Sequence, residues 1–91
     1  MPSENREILV DKMVDNLPVL RKKLKLSQEG LANFIGSSRN TVMLIENRKR
    51  PMTWNTFLSL VLLFEKNEET RVLLRALGIY TEELEDMILR R

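Results

Sequence analysis

The stretch LSQEGLANFIGSSRNTVMLIENRKR, Leu26 to Arg50, decides the fold of this 91-residue chain. It predicts two short helices joined by a tight turn, with a basic knuckle after the second. Ser27 suits the first N-cap, because its hydroxyl can accept one of the orphan backbone N–H groups at a helix start. Leu31, Ala32 and Ile35 then fall on one face at helical spacing. Gly36 stands just past the last periodic residue, where leaving the helix calls for positive φ. Ser37 or Ser38 caps the second helix, whose buried stripe is Val42 and Ile45. Arg39, Asn40, Met43 and Leu44 are left facing outward, with Arg39 and Asn40 in the first turn.

On these residues the segment closely resembles the Cro/CI-type (Xre-like) helix-turn-helix of phage and bacterial repressors. The shared residues are Ser27-Gln28-Glu29, Leu31-Ala32, Ile35-Gly36, Ser38-Arg39, Thr41-Val42 and Ile45-Glu46-Asn47, followed by a basic run. The likeness covers residues 17–64, between an N-terminal helical extension over 1–16 and C-terminal helices over 65–91. It implies a single lambda-repressor-like DNA-binding domain, working as a two-fold dimer on double-stranded DNA. Three positions depart from the family. Lys25 and Arg48 stand where glycine is usual, so each can force a non-glycine residue towards the left-handed region, at about 1 kcal/mol or more. Asn47 could take the second of these conformations itself, which asparagine tolerates. Gly30 replaces a capping-box acid and weakens its helix by about 1 kcal/mol relative to alanine.

Composition agrees with a small DNA-binding domain. Without cysteine there is neither a disulfide frame nor a thiolate metal site, which suits a reducing cytoplasm. Without histidine there is no imidazole base or ligand. The longest strongly apolar run, Phe57 to Phe64, is too short to span a bilayer and contains Ser59. Glu4 and Glu7 flank Arg6 near the N-terminus, so no signal-peptide pattern is present. The net charge of +2 hides its distribution. Residues 21–50 carry eight bases against two acids, a net +6, while the segments on either side carry −2 each. Positive charge concentrated on the two-helix unit suits a phosphate surface and a salt-sensitive interaction.

The flanks read as helices, giving an all-α fold of five to six helices. Ser3 caps a helix with Ile8, Leu9, Met13 and Leu17 at helical spacing. Pro18 should end or kink it near Asn16, a new helix then running from about Leu17 to Leu24. Thr53 caps a helix whose core stripe is Trp54, Phe57, Val61 and Phe64. Leu58, Leu60, Leu62 and Leu63 fill most of its remaining circumference, more apolar surface than one small core absorbs. Either the terminal helices cover the surplus or a second subunit does. Glu68 to Leu77 follows, with Val72, Leu73, Ala76 and Leu77 inward and Gly78 as its stop. Thr81 caps the last helix, with Glu82 and Glu83 at its positive end, Arg90 and Arg91 at its negative end, and an apolar stripe of Leu84, Met87, Ile88 and Leu89. This helix either packs on the core or serves as a dimerisation arm. A homodimer through residues 53–64, residues 81–91 or both is expected.

The site follows from the outward face. If the second helix of the unit, about 38–47, enters a major groove, Arg39 and Asn40 reach base edges first. A guanidinium fork matches the acceptor pair of guanine, and an asparagine amide matches adenine. Leu44 cannot hydrogen-bond, so a thymine methyl is its expected contact, a protein partner being the alternative; Met43 is the fourth base-contact candidate. By the family resemblance Gln28 contacts phosphate and braces the recognition helix. Ser38, Thr41, Asn47, Arg48, Lys49 and Arg50 are the other backbone-contact candidates. Glu46 is expected to serve structure, since phosphate repels it. The chain reads as no enzyme and needs no metal or cofactor, because the acids Glu82, Glu83, Glu85 and Asp86 have a helix-dipole explanation. The reading is thus a sequence-specific transcriptional regulator, most plainly a repressor. The rival is a protein-interaction module of the same fold, such as an antitoxin or adaptor, whose Met43–Leu44 face meets protein instead.

Overall fold

Leu9, Met13, Val14, Leu17 and Leu20 line one side of a single uninterrupted helix, α1 (Ser3–Lys23), in the computed structural model, which describes residues 1–90. Arg91, expected to complete the last helix end, lies outside those residues. The break expected at Pro18 does not occur. A proline inside a helix costs about 3 kcal/mol through its missing N–H and its clash with the preceding turn. Each of the five buried side chains returns roughly 1.5–3 kcal/mol, and they lie on both sides of the proline. Burial therefore wins over the local preference. The N-terminus also differs from expectation. Pro2, not Ser3, holds the cap position without a side-chain bond, its carbonyl accepting from the backbone N–H of Asn5 at 3.1 Å and Arg6 at 3.2 Å. Ile8 is exposed, and Val14 takes the inward place instead.

α2 (Gln28–Ile35) and α3 (Arg39–Glu46) form the tight pair expected. The Ser27 hydroxyl accepts from Gly30 N–H at 2.9 Å, and Ser38, rather than Ser37, caps α3 by accepting from Thr41 N–H at 3.1 Å. Gly36 is left-handed at φ 69°, which lets Ser37 N–H reach back to the Ala32 carbonyl at 2.8 Å. Leu31, Ala32, Val42 and Ile45 are buried between the two helices, α1 and the rest of the core. Both glycine departures are realised as left-handed residues, Lys25 at φ 57° and Arg48 at φ 58°. Asn47 stays right-handed at φ −88°, so Arg48 itself carries the strain.

α4 (Trp54–Glu65), capped by Thr53, sends Phe57, Leu60, Val61 and Phe64 into the core. Leu60 thus takes the stripe position expected of Trp54, which is half-buried and stacks on Phe57 with ring centroids 4.7 Å apart. α1, α2 and α5 (Glu68–Ala76) pack against α4, and Leu58 and Leu63 are partly covered. Neighbouring helices therefore absorb most of the surplus apolar surface, and Leu62 remains 56 % exposed.

α5 is rotated from the expected phase. Thr70 and Leu74 are its buried residues, Leu73 and Leu77 are half-buried, and Val72 and Ala76 face out. The cause is the Thr70 hydroxyl, which donates to the Phe64 carbonyl at 2.6 Å and satisfies an orphan acceptor at the end of α4. Gly78, left-handed at φ 74°, turns the chain so that Ile79 is fully buried. α6 (Glu82–Leu89) enters the core through Leu84 and is tied to α1 by Asn5, whose amide donates to Glu83 Oε1 at 2.9 Å. Ile88 and Leu89 of its expected stripe are exposed. Six helices and no strand make up the described residues. Among the described residues no helix is long and apolar enough to cross a membrane.

Candidate nucleic-acid interface

The C-terminal end of α3 is fixed by a lock made from three elements. Arg21 near the end of α1 donates through Nε to Glu46 Oε2 at 2.9 Å and through Nη2 to Glu46 Oε1 at 3.2 Å. Its Nη1 reaches the Leu26 carbonyl at 3.0 Å, at the entry to α2. Gln28, the first residue of α2, donates to Glu46 Oε1 at 3.0 Å. The side chains of Arg21 and Glu46 are only 11 % and 6 % exposed. A fork-on-carboxylate pair this dry is geometrically specific, and removing one partner would strand the other. Glu46 accordingly has the structural place expected of it, and Gln28 braces α3.

At the opposite end, Arg39 and Asn40 are exposed in the first turn of α3. Arg39 lines a shallow groove together with Arg21, Ser27, Gln28 and Glu29, so the starts of α2 and α3 face the same solvent space. Thr41 gathers the polar groups beside them: its hydroxyl accepts from Ser38 Oγ at 3.0 Å and from Arg50 Nη1 at 2.8 Å. The knuckle folds back on α3, with Lys49 N–H at 2.8 Å and Arg50 N–H at 3.2 Å from the Leu44 carbonyl. Thus Ser38, Thr41 and Arg50 form one cluster, Gln28 and Arg39 share a groove, and Asn47 and Lys49 are exposed. Met43 and Leu44 are half-buried rather than fully outward.

Arg48 is placed differently from the other candidates. Its guanidinium is turned to α1, donating to Asp11 Oδ1 at 2.9 Å and to the Asp15 carboxylate. These bonds, Asp15 first and then Asp11, raise its pKa above the ordinary arginine value. Sequence reading missed this clamp, although Asp11 and Asp15 are spaced to share a helix face. It also missed Arg21 as the partner of Glu46, for which no local pattern gives a signal. Among the described residues no three metal-ligating side chains converge. No model of a known family matches the chain, and neither a curated protein nor a solved structure is found similar to it.

Proposed function

We propose that the chain is a Cro/CI-type (Xre-like) transcriptional regulator that binds double-stranded DNA sequence-specifically and represses by occupying a promoter in the cytoplasm. One observation carries the reading: Arg39 and Asn40 stand free on the first turn of a helix whose far end is locked by the Arg21–Glu46–Gln28 network. Reading a base edge needs a polar fork presented on a rigid support, and that is what this arrangement offers. In the proposed complex α3 lies in the major groove, with Arg39 and Asn40 on base edges and Leu44, then Met43, against a thymine methyl. Gln28, Ser38, Thr41, Asn47, Lys49 and Arg50 take phosphates. Arg48 joins them only by leaving Asp11 and Asp15. A homodimer through exposed Leu62 on α4, or Ile88 and Leu89 on α6, would set the half-site spacing.

Selection from a random duplex library at low and high salt tests this. The expected product is a two-fold symmetric motif with half-sites about one helical turn apart. Arg39→Ala should lose roughly 1–3 kcal/mol and relax preference at one position, whereas Lys49→Ala should weaken all sequences alike. Salt-sensitive binding without a motif would leave a non-specific DNA role. No binding at low salt would defeat the proposal and favour the protein-interaction alternative, an antitoxin or adaptor using Met43 and Leu44.

A further inference from the structure

A groove of about 520 Å³ runs between the N-terminal half of α1 and the segment joining α3 to α4. Its size falls within the ~300–1,000 Å³ range of small-molecule sites. Val10, Val14, Ile45, Met52 and Trp54 give it an apolar floor. Four cations and two acids line it: Arg6, Arg48, Lys49 and Arg50 against Glu7 and Asp11. Asp11 and Asp15 already hold Arg48, which leaves Arg6, Lys49 and Arg50 against Glu7 and positive charge in excess.

Arg6 is the distinctive group. Its guanidinium lies over the Trp54 ring, 4.9 Å from the centroid. Its Nε is buried and has no hydrogen-bond partner among the described residues. A buried donor without an acceptor carries its desolvation cost uncompensated. The guanidinium makes no ion pair among the described residues, so a carboxylate in the groove would meet an uncompensated charge at its open edge, and an apolar body would cover the floor below.

We propose that this groove is a binding site for a small amphipathic monoanion, a carboxylate with an aliphatic or aromatic body. The head group sits on Arg6 and the body lies along Val10, Met52 and Trp54. The site shares Lys49 and Arg50 with the proposed phosphate contacts but rests on Arg6, Val10, Met52 and Trp54, which that reading does not use. A bare phosphate pairs with the exposed Lys49 or Arg50 but leaves the apolar floor wet, so the chemistry favours the amphipathic ligand over a nucleic-acid backbone.

Trp54 is the single tryptophan, so its emission reports on the groove directly. The full chain is titrated with sodium octanoate, 1-octanol and inorganic phosphate, and amide and indole NMR shifts map the contact. Octanoate should give a saturable change with Kd below about 1 mM. Octanol should bind at least about tenfold more weakly, and phosphate should leave Trp54 unchanged. Arg6→Met should reduce octanoate to the level of octanol. Val10→Phe, which fills part of the groove while keeping the Arg6 charge, should weaken octanoate and octanol together. If Arg6→Met does not fold, the octanol comparison and Val10→Phe still decide. No saturation by about 10 mM, equal binding of octanoate and octanol, an equal response to phosphate, or shifts centred outside the groove would each overturn the proposal.

Discussion

Replacing Glu46 by alanine would leave the Arg21 guanidinium and the Gln28 amide in a dry site with no carboxylate to bond. Breaking a buried pair in this way costs about 3–5 kcal/mol, against a total stability of roughly 5–15 kcal/mol for a domain. The Glu46→Ala midpoint should therefore fall by at least about 12 °C in a thermal melt followed by circular dichroism. Arg39→Ala, on the exposed face of the same helix, should stay within about 0.5 kcal/mol of the parent. Equal loss in both variants would remove the lock from the account. A second residue makes a pH-dependent contribution. Burial, followed by the nearby charge of Glu85, raises the Tyr80 phenol above its usual value. The neutral phenol is thus favoured in the folded state. Its contribution is fully present below the unfolded value of about 10 and is lost as pH rises through the folded one. Between about pH 9 and 11, Tyr80→Phe should lose stability less steeply than the parent. Identical slopes would show that other groups account for the alkaline decline.

Among the elements, α2 and α3 were legible because their signals are local: a capping serine, a left-handed glycine and a short apolar stripe each act within one turn. The glycine departures at Lys25 and Arg48 were legible for the same reason, and only the choice between Asn47 and Arg48 had to come from the structure. α1 and α5 were misread where distant contacts override local preference. Whether Pro18 ends a helix depends on what Leu17 and Leu20 pack against, which lies far along the chain. The phase of α5 depends on the Phe64 carbonyl, an acceptor that exists only once α4 has formed. At the candidate interface the exposed Arg39 and Asn40 follow from helix periodicity, whereas the Arg48 clamp depends on how α1 passes the knuckle. The α5 explanation predicts that Thr70→Val, nearly the same in shape, costs about 1–3 kcal/mol by leaving that carbonyl unpaired. Urea unfolding measures this, and a variant as stable as the parent would assign the phase of α5 to Leu74 alone.

For the whole molecule, the resemblance invites a division at residue 17 that the packing does not respect. Leu9, Met13 and Val14 lie ahead of that point and belong to the same core as Phe57 and Phe64. Removing one buried side chain of this size typically costs about 1–5 kcal/mol, so the loss of all three consumes most of the stability available. A fragment of residues 17–91 should therefore show no cooperative thermal transition, and a cooperative melt near the parent midpoint would contradict this core. The same helix has a topological consequence. The amide of Asn5 touches the carboxylate of Glu83, so the first turns of the first and last helices meet. From that contact α6 continues for about 10 Å, at ~1.5 Å per residue. A flexible Gly/Ser bridge of about eight residues has a root-mean-square reach of roughly 15 Å. Such a bridge could close the backbone into a ring, which could then be reopened at the exposed Lys66–Asn67 turn between α4 and α5. The order of helices along the chain would change while every helix kept its neighbours.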